Sequence, residues 1–264
     1  MKDQIKSYLQ RLNHGEALEN VQADFVRKCK DVDPAEIMHA EQELLREGTS
    51  IEELQRLCDV HSALFHGSAT DAQKLHAKDI QDQRLSAAAA LIQISGHPLQ
   101  TFTLENAALE KLIARARQAL ENNGISNELL DELRQIAIHY ARKGDLLYPH
   151  LKVQYGISGP SAVMWTVDDE IRDELNALAK QKHQKETDAW KQRLNAVLNR
   201  MEEMIYKESN ILFPNCALNF SEEEWYHIYR DAKDYAECFG IRGDSWEAAE
   251  AHLADTASTV GTMS

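Results

Sequence analysis

The chain has 264 residues, with 29 Lys and Arg against 43 Asp and Glu, for a formal charge of −14. A hydrophobic content of 43% and a charged content of 27% belong to a globular protein rather than a disordered one. The acid excess argues against nucleic acid or an anionic membrane as partner, and no apolar run nears the roughly 20 residues that cross a bilayer.

Gly (11) and Pro (5) are scarce while Ala, Leu, Glu, Gln and Lys abound, which predicts an all-α protein. Two helices are expected near 2–13 and 17–30. Asp33-Pro34-Ala35-Glu36 then reads as N-cap, N1 proline and capping-box glutamate, opening a helix to about Glu47 with Gly48 left-handed after it. Ser50 and Glu53 box a further helix that closes at Gly67. Residues 1–67 are thus predicted to form a small four-helix domain, and 68–95 a connector with helix in the alanine run at 86–92.

From 96 to 240 the helices lengthen into a predicted up-down four-helix bundle with an extra C-terminal helix. Pro98 starts the first long helix, which ends before Gly124. Ser126 caps the second, Gly159-Pro160 opens the third, and the fourth runs from about 185 to 212. Pro149 and Pro214 fall near the ends of the second and fourth, and Ser221-Glu-Glu-Glu224 boxes the fifth. The stretch 241–264 is sparse in large apolar residues and is expected to be a partly disordered tail. The start, MKDQIKSYLQRLN, has no apolar leader core, so the expected location is the cytoplasm. Cys29, Cys58, Cys216 and Cys238 form no CxxC pair and read as reduced thiols.

Helical spacing defines the stripes of the bundle. The first connects Phe102, Asn106, Leu109, Ile113, Ala116 and Leu120; the third connects Met164, Asp168, Ile171, Leu175 and Leu178. The fourth connects Trp190, Leu194, Val197, Met201, Met204, Glu208 and Ile211, and on the second His139 follows Ile136 by three. Each stripe carries a polar side chain, and a buried carboxylate needs a partner or a cation. Asp168 stands in an acidic run with Asp169 and Glu170, so its inward aim depends on helix phase. Glu208 has Lys143 or Lys207 as candidate partners.

The second and fourth helices also repeat one another. His139-Tyr-Ala-Arg-Lys-Gly-Asp-Leu-Leu-Tyr-Pro149 aligns with Met204-Ile-Tyr-Lys-Glu-Ser-Asn-Ile-Leu-Phe-Pro214, as in a pseudo-twofold bundle. His139 then matches Met204, and Lys143 matches Glu208.

At these residues the sequence resembles the hemerythrin-like, or HHE cation-binding, family, whose repeats carry a His, a Glu four residues later and a leucine-aromatic-proline end. It resembles most a bacterial family in which a short helical domain of unknown function precedes the hemerythrin-like one. DVDPAEIMHAEQELLREGTSIEELQRLCDVHSALFHG looks like the first domain; GHPLQTFTLEN, GPSAVMWTVDDEIR, YKESNILFP and SEEEW look like the second. Many such relatives carry a PAS domain next, about where this sequence stops. The resemblance implies a bundle that holds iron and binds or senses oxygen or a related diatomic ligand. Carried over by position, the first-helix His falls on Asn106, the Glu after His139 on Lys143, the third-helix His on Asp168 and the fourth-helix His on Met204.

The expected metal ligands are His97, Glu105, His139, Asp168 and Glu208, holding one or two irons in a degenerate site. The alternative is a metal-free bundle in which the Lys143 ammonium pairs with Asp168 or Glu208 and the protein acts through a partner of its N-terminal domain. Cys58 and His61, in RLCDVH, form a second candidate site or part of that domain's core. No nucleophilic triad, Glu-x-x-His pair or phosphate loop is legible, so no enzymatic turnover is expected.

Overall fold

The computed structural model describes residues 2–29, 40, 43–44, 47–49, 85–122, 124–155, 159–185 and 187–261. Their regular elements are helices, and among them the nearest approach to a strand is one isolated bridge between Cys238 and Ile241. The chain divides into two compact units, Met1–Leu85 with Gly156–Thr166, and Ser86–Tyr155 with Val167–Ser264.

In the first unit, α1 (Lys2–Asn13) and α2 (Leu18–Cys29) bury Ile5, Tyr8, Leu9, Val21, Phe25 and Cys29. Tyr8 meets Phe25 edge-on at 5.2 Å, and Ala40, Leu44 and Val163 complete the core. Gly48 takes φ +95°, the left-handed end expected of a helix closing at Glu47. The helix starts at Pro34 and Ser50, and the pair Cys58 and His61, lie outside the described residues.

The second unit is a helical bundle. Residues 85–92 are helical and lead into α3 (Pro98–Asn122), which packs against α4 (Asn127–Arg134), α5 (Ile136–Leu146), α8 (Asp188–Lys207) and α10 (Glu222–Ala232). Ser126 Oγ accepts the Leu129 N–H at the start of α4, and Ser221 with Glu224 completes a reciprocal capping box on α10. The apolar stripes close on one another, with Leu109, Ile113, Leu133, Ile171, Leu175, Leu178, Leu194 and Met201 buried.

Three sequence expectations change. The predicted second helix is three segments, α4, α5 and α6 (Tyr148–Tyr155), broken at Gln135 and Leu147. The two prolines fall near the ends of their helices, and Tyr148-Pro149 and Phe213-Pro214 also start α6 and α9 (Phe213–Asn219), where a missing N–H is harmless. Between α8 and α9 the residues Glu208–Leu212 form a π turn. Its wider pitch rotates the buried face by one position, so Leu212 is buried and Ile211 only half-buried.

The third change concerns the tail. Residues Glu247–Gly261 form a helix, α11, which packs on α10, with Trp246 and Ala249 buried at its start. Gly96 shows how closely this segment docks. With φ +79°, an added Cβ would lie 2.5 Å from the backbone of Ser245 and Trp246, so only glycine fits.

Candidate functional site

Four elements of the second unit deliver polar side chains to one buried point. α3 contributes Glu105 and Asn106, and α5 contributes His139, Arg142 and Lys143 from successive positions of one face. α7 (Gly159–Lys180) contributes Asp168, and the π turn contributes Glu208. None of the seven exposes more than 6% of its surface. The phase of α7 separates the acidic run: Asp168 turns inward, while Asp169 and Glu170 pair with Arg172 and Arg200 at the surface.

The groups form one connected chain. Arg142 donates to Glu105 Oε1 at 2.6 Å, and Glu105 Oε2 lies 2.7 Å from His139 Nδ1. His139 Nε2 meets Glu208 Oε2 at 3.0 Å, an oxygen that also accepts from Asn106 Nδ2 at 2.8 Å. The Lys143 ammonium donates to Glu208 Oε1 and, at 2.8 Å, to Asp168 Oδ1. Tyr148 donates its hydroxyl to Asp168 Oδ2 at 3.0 Å. Aromatic faces wall the cations: Lys143 sits 4.2 Å from the Tyr140 ring centre, Arg142 5.5 Å from that of Phe102, and Phe102 meets His139 edge-on.

Charge neutrality follows from the protonation of His139. Burial alone would lower the imidazole pKa, but Glu208 and Glu105, one at each nitrogen, outweigh it and raise it to about 9. Burial likewise disfavours the Glu208 carboxylate, yet Lys143 and His139 hold it down at about 2. Asp168 is the exception: burial and the nearby Glu208 charge win over Lys143, raising it to about 6. At neutral pH three carboxylates therefore face three cations inside the bundle. A buried network of this kind is tolerable only when every charge is matched.

Four of the five expected ligands, Glu105, His139, Asp168 and Glu208, thus lie together, with Asn106 and Lys143 among them. Met204 is buried one turn before Glu208. His97 does not join them. Its Nδ1 accepts the Leu99 N–H, and its ring lies 4.7 Å from those of Trp225 and Trp246. Burial lowers its pKa to about 3, so it is a neutral packing residue at the start of α3. Its place just before the helix sends it toward the C-terminal tryptophans, whereas Glu105 and Asn106, two turns on, reach the cluster. Arg142 and Tyr148 were missed as site residues. Arg142 was legible as the residue three after His139 on the same face, and Tyr148 as the hydroxylated partner of Phe213 in the repeat.

Comparison with known families places both units. Residues 97–216 match the hemerythrin HHE cation binding domain, and residues 5–71 match a family of unknown function (DUF438). Residues 97–216 are thus a hemerythrin-like HHE domain. Among curated proteins none matches it.

The donor set of this HHE domain does not fit iron. Both imidazole nitrogens are bound to carboxylates, and the space between Asp168 and Glu208 holds an ammonium. A divalent ion bound through His139 would displace the imidazolium proton and still leave the neutral cluster with an uncompensated charge in a buried core, a cost on the order of several kcal/mol even after relaxation. Among the described residues no group of three or more His, Cys, Asp and Glu side chains is placed to hold a metal.

Among the described residues no helix is long and apolar enough to cross a membrane. The cysteines Cys29, Cys216 and Cys238 are free and buried, and burial pushes the Cys238 thiol up to about 12.

Proposed function

We propose that this HHE domain carries its cation covalently, as the Lys143 ammonium, and works without metal as a regulatory interaction module of the cytoplasm. The observation that carries the proposal is the lysine held between Asp168 and Glu208 at the position where the family pattern has a glutamate. An internal cation makes the bundle's folding independent of metal supply and removes the open coordination position that diatomic binding or oxygen activation requires. In this reading the protein has no enzymatic turnover, and its N-terminal domain meets a protein partner.

The competing reading, an iron centre sensing a diatomic ligand or redox state, draws on the HHE family match and on the convergence of Glu105, His139, Asp168 and Glu208. Thermal denaturation with and without Fe²⁺, Mn²⁺ or Zn²⁺ separates the two. A metal-free bundle keeps its melting temperature, whereas a site that binds metal only when folded shows a concentration-dependent rise. A rise in the unaltered chain that vanishes in His139→Ala would overturn the proposal.

A further inference from the structure

A cavity of about 420 Å³ opens on the second unit between the start of α3, the end of α10 and the segment 235–245. Its buried lining residues include Phe102, 1% exposed, and Arg142, 6% exposed, while Ala236, Glu237, Arg242 and Asp244 lie at its exposed mouth. Pro98, Tyr229, Tyr235 and Ile241 give the walls apolar and aromatic surface, with Thr101, Lys233 and Ser245 between them. The size is that of a small-molecule pocket.

The charges are unevenly committed. At the mouth, Arg242 pairs with Glu237, Lys233 pairs with Glu250, and Asp244 accepts the Ser95 hydroxyl. At the base, Arg142 spends one amino group on Glu105, and its buried Nε meets no acceptor among the described residues. A guanidinium carries five N–H donors in a planar fork suited to a carboxylate. The second amino group has no partner among the described residues and is not one of the buried atoms, so it is the donor that an anion entering the cavity would meet.

We infer that this cavity is a binding site for a small monocarboxylate with an aromatic or short aliphatic body. The carboxylate would pair with Arg142 at the base, while the body would lie against Phe102 and the tyrosine walls. The Phe102 and tyrosine walls offer an apolar surface that inorganic phosphate cannot use, which favours the carboxylate with a body over phosphate. Arg142 is also the end of the chain Glu105–His139–Glu208–Lys143–Asp168, so an occupant would touch the least buried charge of the network. The inference is independent of whether metal is bound, since no residue of it is needed as a ligand.

Calorimetric titration of the full chain with benzoate, inorganic phosphate and benzyl alcohol tests this, with melting temperature as a second readout. Benzoate is expected to bind and to raise the melting temperature; phosphate and the neutral alcohol are expected to do neither. Arg142→Gln should weaken benzoate binding by about tenfold or more, as the loss of a charge-assisted hydrogen bond implies. Because that variant also loses the pair with Glu105, Ala236→Trp at the exposed wall serves as the companion: it should fold normally and block the cavity. Absence of benzoate binding to the folded chain, equal binding of benzyl alcohol or phosphate, or benzoate binding that persists unchanged in Ala236→Trp would each overturn the assignment.

Discussion

The two halves of the internal repeat share a backbone plan and divide the electrostatics between them. In each, a helix of the bundle yields after the polar position and restarts on an aromatic-proline pair, Tyr148-Pro149 in one and Phe213-Pro214 in the other. The first half supplies the cations His139, Arg142 and Lys143; the second supplies Glu208 and fills the position of the imidazole with the thioether of Met204. A metal site needs donors from both halves. Here one half donates the charge that the other half's metal ligand would otherwise have met, and the buried cluster is neutral without an ion.

The sharpest way to break this division is to remove the lysine. Lys143→Ala leaves Glu208 and Asp168 facing each other without their shared cation, and loss of one partner of a buried ion pair costs about 3–5 kcal/mol, measurable by urea denaturation. The reversed pair Lys143→Glu with Glu208→Lys should recover part of that loss, and a double variant no better than the single one would show the pair to be incidental.

The π turn sets the second half apart in packing. Leu212→Ala should cost about 2–5 kcal/mol and Ile211→Ala distinctly less, because the turn puts Leu212 inside. Equal losses at the two positions would mean a regular helix there. Tyr148→Phe asks whether the hydroxyl that distinguishes it from Phe213 matters. It leaves Asp168 Oδ2 short of a donor, with an expected loss of about 1–3 kcal/mol.

The pH dependence sharpens the comparison at the smallest scale. The folded-state pKa of His139 is raised to about 9 from an ordinary 6.5, so its contribution to stability is full below 6.5 and disappears as pH rises through 9. The melting temperature should fall over that window, and His139→Gln should flatten that part of the profile.

Much of this was legible in the letters because helix signals are local. Ser126 and the Ser221–Glu224 box sit where they were read, and Asp168 and Glu208 follow from periodicity alone. What failed was non-local or depended on pitch. The inward position of Leu212 comes from a π turn that no residue pattern announces. The ordered α11 comes from Trp246 and the close passage over Gly96, contacts that composition does not reveal. His97 was placed among the ligands by its nearness in sequence, yet its partners, Trp225 and Trp246, are far along the chain.

The most direct measurement is the metal content of the chain purified from iron-supplemented medium, beside that of Lys143→Glu, which restores the family's glutamate. The lysine-bridged bundle predicts far less than one iron per unaltered chain and no visible charge-transfer band, with any gain of metal confined to the variant. Near-stoichiometric iron with such a band in the unaltered chain, lost in His139→Ala, would contradict it.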